Sequence, residues 1–402
     1  MRAPAVDGDT PGLRHLVTAL ALLWLAGTGL RMTILSVPPV IPMIRDDLGM
    51  SATDIGILTG IPSVLFALAA IPGSLLIAKF GALKTLLIGL LATAAGSALR
   101  GVAPDVWLLY GATVVTGFGV AVMQPSLPPL VRTWLPDRIP FGTAVYANGL
   151  LVGEVLPVAL TLPVLVPLLG GWRASFFAWA VPCVAIALVV AVLAPRGAGG
   201  AAAVVTGRKW WPDWSSGLLW RIGIMFGTVN AQYFTTNAFI PDVLTRTGRP
   251  DLISLTLTAL NLGQIPASLL LLVFAGRLVR KVWPYVAAGL VSFVALLGLM
   301  YGSPTVIVIS SVLIGLCDAS VLILIFALPS ILAPPEDVHR LAAGMFTISY
   351  SCAVITPVLS GLAWDLSGEP LAAFVPILIG ALLLAVLAPS VTGIRHHAEE
   401  GS

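Results

Sequence analysis

Three formal charges stand deep inside apolar stretches of this sequence: Arg31, Glu154 and Asp318. Arg31 sits in LAGTGLRMTILSVPPVIPMIRDDLGMS, within an apolar run from about Leu16 to Met43. A charge at the centre of a membrane helix costs roughly 2.5–3.5 kcal/mol on insertion scales, so it should face a partner, a ligand or a water-filled cavity. The guanidinium stays charged, and its fork matches a carboxylate or another small anion bidentately. A carboxyl in low-dielectric surroundings is readily held neutral, which suits it to taking up and releasing a proton. The expected division of labour has arginine holding an anion and a carboxyl carrying a proton, with Asp318 the preferred carrier and Glu154 the other candidate. The alternative is that Arg31 and Glu154, in the same half of the chain, form a structural ion pair and merely neutralise each other.

Polar side chains at helical spacing extend this constellation. Trp24, Thr28, Arg31 and Leu35 share one face of the first apolar span. Asn230, Tyr233 and Asn237 share a register on the seventh, Gln124 lies at a central depth on the fourth, and Asp318 lies on the tenth. If these four helices line one cavity, the candidate substrate contacts on them are Arg31, Gln124, Asn230, Tyr233, Asn237 and Trp24, and Tyr146 on the fifth span is a further candidate. For the seventh span the alternative is polar glue between helices. Asn261, Gln264 and Ser268 make a further stripe on the eighth span, which either lines the cavity or binds a neighbouring helix. Gly149 and Gly153 permit close packing of the fifth span, and Pro157 and Pro163 permit it to bend. Catalysis finds little support. His15, His339, His396 and His397 fall in loops or tails, and HExxH, GxSxG and GxxxxGK patterns are all missing. No enzyme activity, metal or cofactor is expected. Cys183, Cys317 and Cys352 lie in apolar runs without metal or disulfide spacing and read as small core residues.

The elements that must position these residues are membrane helices. Of 402 residues, 58% are hydrophobic and 10% charged, and the mean hydropathy is +1.01, far too apolar for an ordinary soluble domain. Apolar runs long enough to span a bilayer cover approximately 14–43, 52–78, 82–101, 105–131, 140–168, 173–194, 217–244, 252–276, 282–301, 304–333, 339–364 and 371–391. The first run has no clear small-residue cleavage site, so it reads as a retained helix behind a mobile tail of about a dozen residues. An even number of spans puts both termini on one side. Fourteen Lys and Arg fall on that side and five opposite, Arg45, Arg100, Arg173, Arg246 and Arg249, which predicts cytoplasmic termini. The net charge of +3 therefore reports topology, and no nucleic-acid partner is expected.

The longest loop, 195–216, mixes Gly and Ala with basic residues and Trp210, Trp211 and Trp214. It reads as a cytoplasmic linker between six-helix units at 14–194 and 217–391. An internal repeat agrees: IPGSLLIAKF from Ile71 matches IPASLLLLVF from Ile265 at six of ten positions, and Ile41-Pro42 recurs as Ile240-Pro241. Aligned on that pair, Arg31 falls on Asn230. Parallel duplication of six-helix halves marks transporters whose site lies between the halves near mid-membrane. The expectation is an all-α membrane protein of twelve transmembrane helices in two pseudo-symmetric bundles, monomeric, working on a small-molecule solute and protons within the lipid bilayer.

Leu30-Arg31 through Pro39, LGMSATDIGILTGIP after the first span, Gln124 through Pro128 leading to Leu135-Pro136-Asp137, Gly171-Trp172-Arg173, and Tyr233 with Phe239-Ile240-Pro241 carry a resemblance. Across essentially all twelve spans the chain resembles the major facilitator superfamily, and within it the cyanate and 2-nitroimidazole transporters of bacterial inner membranes. The resemblance implies a proton-linked secondary transporter of small, often anionic solutes, with the span-one arginine and the polar residues of spans four and seven near substrate. A proton-antiport exporter of drugs or metabolites is the alternative. Several positions depart from the family pattern. The loop between spans two and three, Gly-x-x-x-Asp-Arg-x-Gly in the superfamily, here has Ser74, Ala78, Lys79 and Gly81. Gly29 and Gln124 replace asparagines, Asp318 replaces an amide, and Glu154 replaces the proline of the span-five exchanger motif.

Overall fold

The computed structural model describes residues 12–50, 52–195 and 209–392. The expected N-terminal tail and most of the expected linker fall on 1–11 and 196–208, outside the described residues, as do Arg2, Arg196, Arg208 and Arg395 of the charge count. Among the described residues twelve long helical segments follow one another: α1 (Leu13–Gly29), α2 (Ala52–Phe80), α3 (Ala82–Gly101), α4 (Val106–Trp134) and α5 (Pro136–Leu169), α6 (Trp172–Leu193). The second half repeats the count with α7 (Gly217–Arg246), α8 (Pro250–Leu278), α9 (Trp283–Tyr301), α10 (Pro304–Leu332), α11 (Val338–Ser367) and α12 (Pro370–Val391). Ten of these are long and apolar enough to cross a membrane, and α1 is a shorter apolar helix. Outward-facing surfaces are apolar at helical spacing: on α6, Val181, Leu188 and Val192 are 65%, 61% and 63% exposed. Such a stripe suits lipid rather than water.

Capping defines several helix starts. Asp105 accepts from Leu108 N (2.9 Å) ahead of α4, and Ser216 accepts from Leu219 N (3.4 Å) at the start of α7. Within the first half α1 packs on α5 and α3 on both α4 and α6; across the halves α2 packs on α11 and α5 on α8.

The first span departs from the continuous helix expected over 14–43. The α-helical ladder ends at Gly29, and Leu30–Val37 continues in irregular turns before a 3-10 turn at Pro38–Val40 and a short helix, Ile41–Leu48. Gly27 and Gly29 weaken the helix, while Pro38, Pro39 and Pro42 remove donors and push the residues before them out of the α region. The pseudo-equivalent α7 has only Pro241 within it and stays helical throughout. Arg31 therefore sits on the break, and the helical register invoked for Trp24 and Leu35 does not run through it.

Candidate substrate-binding cavity

Close backbone approach between α1 and α5 builds the site. A Cβ on Gly27 would stand 2.0 Å from Tyr146 O, one on Gly149 2.2 Å from Trp24 O, and one on Gly153 2.3 Å from Thr28 O. These contacts leave no room for a side chain, so the glycines bring α5 against the last turns of α1 and deliver Glu154 beside Arg31. Arg31 Nε lies 3.4 Å from Glu154 Oε1. The ion pair left open by the sequence is present in this conformation.

Arg31 is held from the second half as well. Its Nη2 donates to Tyr350 OH on α11 (3.0 Å), and Gln124 Nε2 donates to the same oxygen (3.2 Å). Its guanidinium carbon lies 5.3 Å from the Phe66 ring centre, a cation–π contact from α2. Arg31 is 9% exposed and Tyr350 1%.

A cavity of about 290 Å³ lies against this cluster, walled by Arg31, Glu154, Asn230, Tyr233, Gln264 and Asp318 among others. An adjoining cleft of about 420 Å³ shares Glu154, Tyr233, Asn237 and Gln264. Hydrogen bonds from the first half to the second half and to the end of the linker gather on the opposite side of Arg31. Ser330 Oγ donates to Pro128 O (2.9 Å), Ser74 Oγ to Trp210 O (2.5 Å), and Arg132 to Ala333 O. Above them six rings form a plug: Phe66 on Tyr350 (5.0 Å), Tyr146 stacked on Phe326 (5.8 Å), and Phe226 and Phe346 against Phe326 (5.3 and 5.5 Å). The halves are thus closed on the face bearing the α2–α3, α4–α5 and α10–α11 connections, and the cavity lies towards the other face.

The structure sorts the expected site residues. Arg31, Glu154, Asn230, Tyr233, Asn237 and Asp318 all border the cavity. Asn230 also donates to Ser349 Oγ (2.8 Å), Tyr233 OH donates to Asn261 Oδ1 (3.0 Å), and Asn237 Nδ2 donates to Tyr233 O (2.8 Å). Asp318 Oδ1 accepts from Gln232 Nε2 (2.7 Å), and its Oδ2 is buried without a hydrogen-bond partner. Three others stand back from the wall. Gln124 reaches Arg31 only through Tyr350, Tyr146 belongs to the aromatic plug, and Trp24 Nε1 donates to Asn148 Oδ1 (3.0 Å). Asn148 Nδ2 in turn donates across the halves to Ser268 Oγ (2.9 Å). The stripe on α8 therefore divides: Gln264 lines the cavity, Asn261 braces Tyr233, and Ser268 binds α5.

Sequence reasoning missed Tyr350, Phe66, Asn148 and Gln232. Asn148 and Gln232 carried a visible signal, an amide within an apolar run; the two aromatic residues did not differ from their surroundings. Arg100, counted among the five basic residues opposite the termini, is fully buried at the end of α3.

A sequence profile of the Major Facilitator Superfamily matches residues 23–246. The chain is 28% identical over 361 residues to a cyanate transport protein of Escherichia coli K12, covering 87% of this chain and 91% of that one. It is 25% identical over 387 residues to the 2-nitroimidazole transporter of the same organism, covering 93% and 95%. A solved proton:xylose symporter superposes with a TM-score of 0.72 at 13% identity, covering 93% of this chain and 95% of that one. Two six-helix halves around a mostly apolar central cavity that bears a few charged and amide side chains, with the profile matched over more than half of the chain, make this protein a membrane transporter of the major facilitator superfamily.

Proposed function

We propose that the protein is a secondary active transporter that moves a small anionic solute by alternating access, coupled to protons. The observation that carries this reading is the Arg31–Glu154 pair on the cavity wall. An entering anion competes with Glu154 for the guanidinium, and a proton on Glu154 removes the competitor. Anion and proton are thereby linked at one place, without any need for a long-range relay. Asp318, on the same cavity and tied to Gln232, is the second candidate proton carrier. The cavity volume supports a small solute: about 290 Å³ sits at the lower edge of the roughly 300–1,000 Å³ typical of pockets for drug-sized ligands.

Tyr233, Asn230 and Asn237 would orient the solute from the second half, and Gln124 and Tyr350 would hold Arg31 in place. Trp24 and Tyr146 would support the packing of α1 and the plug. The units 14–194 and 217–391 would rock about the site as a monomer in a bacterial inner membrane, with the closed face and both termini in the cytoplasm. The relative named as a 2-nitroimidazole transporter, together with the Phe66 and Tyr233 rings on the cavity, supports a second reading, proton-linked export of nitro-heterocycles.

The test is uptake into proteoliposomes under an imposed pH gradient. Saturable anion uptake that collapses with the gradient is expected of wild type. Arg31→Lys keeps the charge but loses the planar fork, and is expected to weaken anion binding by roughly tenfold or more while leaving expression intact. Wild-type affinity in that variant removes Arg31 from the site.

A further inference from the structure

Arg100 is the second arginine on the cavity wall, and its surroundings differ from those of Arg31. In an unbroken helix Val37 N–H would bond to Thr33 O; here it turns to Ile34 O (3.3 Å). Thr33 O instead accepts from Arg100 Nη1 (2.8 Å) and from Ser36 Oγ (2.8 Å). Arg100 Nε donates to Thr113 Oγ1 (3.1 Å), and the Phe176 ring lies 5.9 Å from the guanidinium carbon. Capping the broken helix thus explains one of the three nitrogens, and the Thr113 hydroxyl on α4 a second. The third, Nη2, is buried with no acceptor, and the Thr33 hydroxyl is likewise orphaned.

The charge is orphaned too. Ion pairs among the described residues join Arg31 to Glu154, Arg173 to Asp47 and Arg340 to Asp337, and none includes Arg100. A carbonyl and a hydroxyl satisfy hydrogen bonds but supply no counter-charge, and a fully buried cation without one is held at considerable expense. Arg100 and Thr113 nevertheless border the same cavity as Arg31, and a movement of the side chains covering Nη2 would open it to a solute on this wall.

We propose that Arg100 is an anion subsite distinct from Arg31, filled from the cavity by a small, singly charged, weakly hydrated anion bound end-on at Nη2. End-on binding follows because Nε and Nη1 are already committed, which leaves no two-nitrogen fork for a planar carboxylate. Weak hydration follows from the walls, where Val37, Pro38, Leu58 and Pro62 offer little to replace a tightly held water shell. The subsite rests on the anion reading above and would hold the solute before or after Arg31 does. Because Glu154 neutralises Arg31 in this conformation, Arg100 carries the charge available to the anion first.

The test uses the purified full-length protein and thiocyanate as probe, by titration calorimetry on wild type, Arg31→Gln and Arg100→Gln, together with an anomalous map from crystals of wild type grown with bromide. Thiocyanate binding that persists in Arg31→Gln and weakens roughly tenfold or more in Arg100→Gln is expected, with bromide in contact with Nη2. Binding abolished by Arg31→Gln and untouched by Arg100→Gln would overturn the subsite while leaving the transport reading intact. Should Arg100→Gln not fold, bromide at Nη2 supports the subsite and its absence there, with bromide bound elsewhere in the cavity, refutes it. If neither anion binds wild type, the anion reading itself fails and the subsite with it.

Discussion

Replacing Glu154 by Gln keeps the shape of the side chain and removes the charge that neutralises Arg31. At 3.4 Å and an effective dielectric of about 20, two unit charges attract by about 5 kcal/mol, in line with the roughly 3–5 kcal/mol lost when one partner of a buried pair is removed. Glu154 is partly open to the cavity, so the lower end, about 3 kcal/mol, is the better guide. The amide variant should be destabilised by that order in anion-free buffer and restored by the anion. It should also bind the anion roughly 100-fold more tightly than wild type near neutral pH, since each 1.4 kcal/mol is a factor of ten and the anion no longer displaces a carboxylate. The pH signature is sharper. In wild type, one proton taken up per anion bound makes affinity rise as pH falls, by at most about tenfold per unit. In the amide variant affinity should be flat over the same range. Calorimetric titration of formate, a planar carboxylate suited to the guanidinium fork of Arg31 and not to the single free nitrogen of Arg100, between pH 5 and pH 8 on both proteins reads this directly. Pair competition is refuted by a pH-independent wild-type affinity, or by an amide variant that binds more weakly than wild type.

Two other substitutions address different parts of the site. Asp318→Asn preserves the hydrogen bond with Gln232 and removes the titrating group; gradient-driven accumulation in proteoliposomes should fall while solute exchange at equal pH survives, and unchanged accumulation leaves coupling to Glu154 alone. Tyr350→Phe deletes the oxygen shared by Arg31 and Gln124, a contact between halves worth about 1 kcal/mol. It should shift the balance away from the closed face by roughly fivefold, read as faster labelling of a cysteine placed at Ser330, with unchanged labelling counting against a latch role.

Much of this arrangement was legible from residue types alone. A charge in an apolar run is a local signal, which is why Arg31, Glu154 and Asp318 stood out, and Gly149 and Gly153 next to Glu154 announced a close helix contact. The repeat at Ile71 and Ile265 indicated matching halves, and the cavity does draw on Asn230, the counterpart of Arg31. Other features depend on the third dimension. Tyr350 is an ordinary aromatic residue on α11, and its reach to Arg31 exists only because the halves are apposed on one face. Arg100 sits where a span meets a loop, and only the Thr33 carbonyl freed by the broken helix explains its burial. That break had a visible cause in three closely spaced prolines, yet an apolar run long enough to span a bilayer reads as one helix whether or not its hydrogen-bond ladder is intact.

The glycine seam between α1 and α5 has an electrical consequence. In the alternating-access cycle proposed above, backbones in direct contact at three levels would move as one body, so Arg31 and Glu154 would travel together while Tyr350 stayed with the opposite half. An unloaded protein would then reorient with its central cation already cancelled, and the transmembrane voltage would exert no net pull on that pair during the return stroke. Voltage sensitivity, at this locus, would be left to the loaded form and to whatever charge the proposed cargo and proton add.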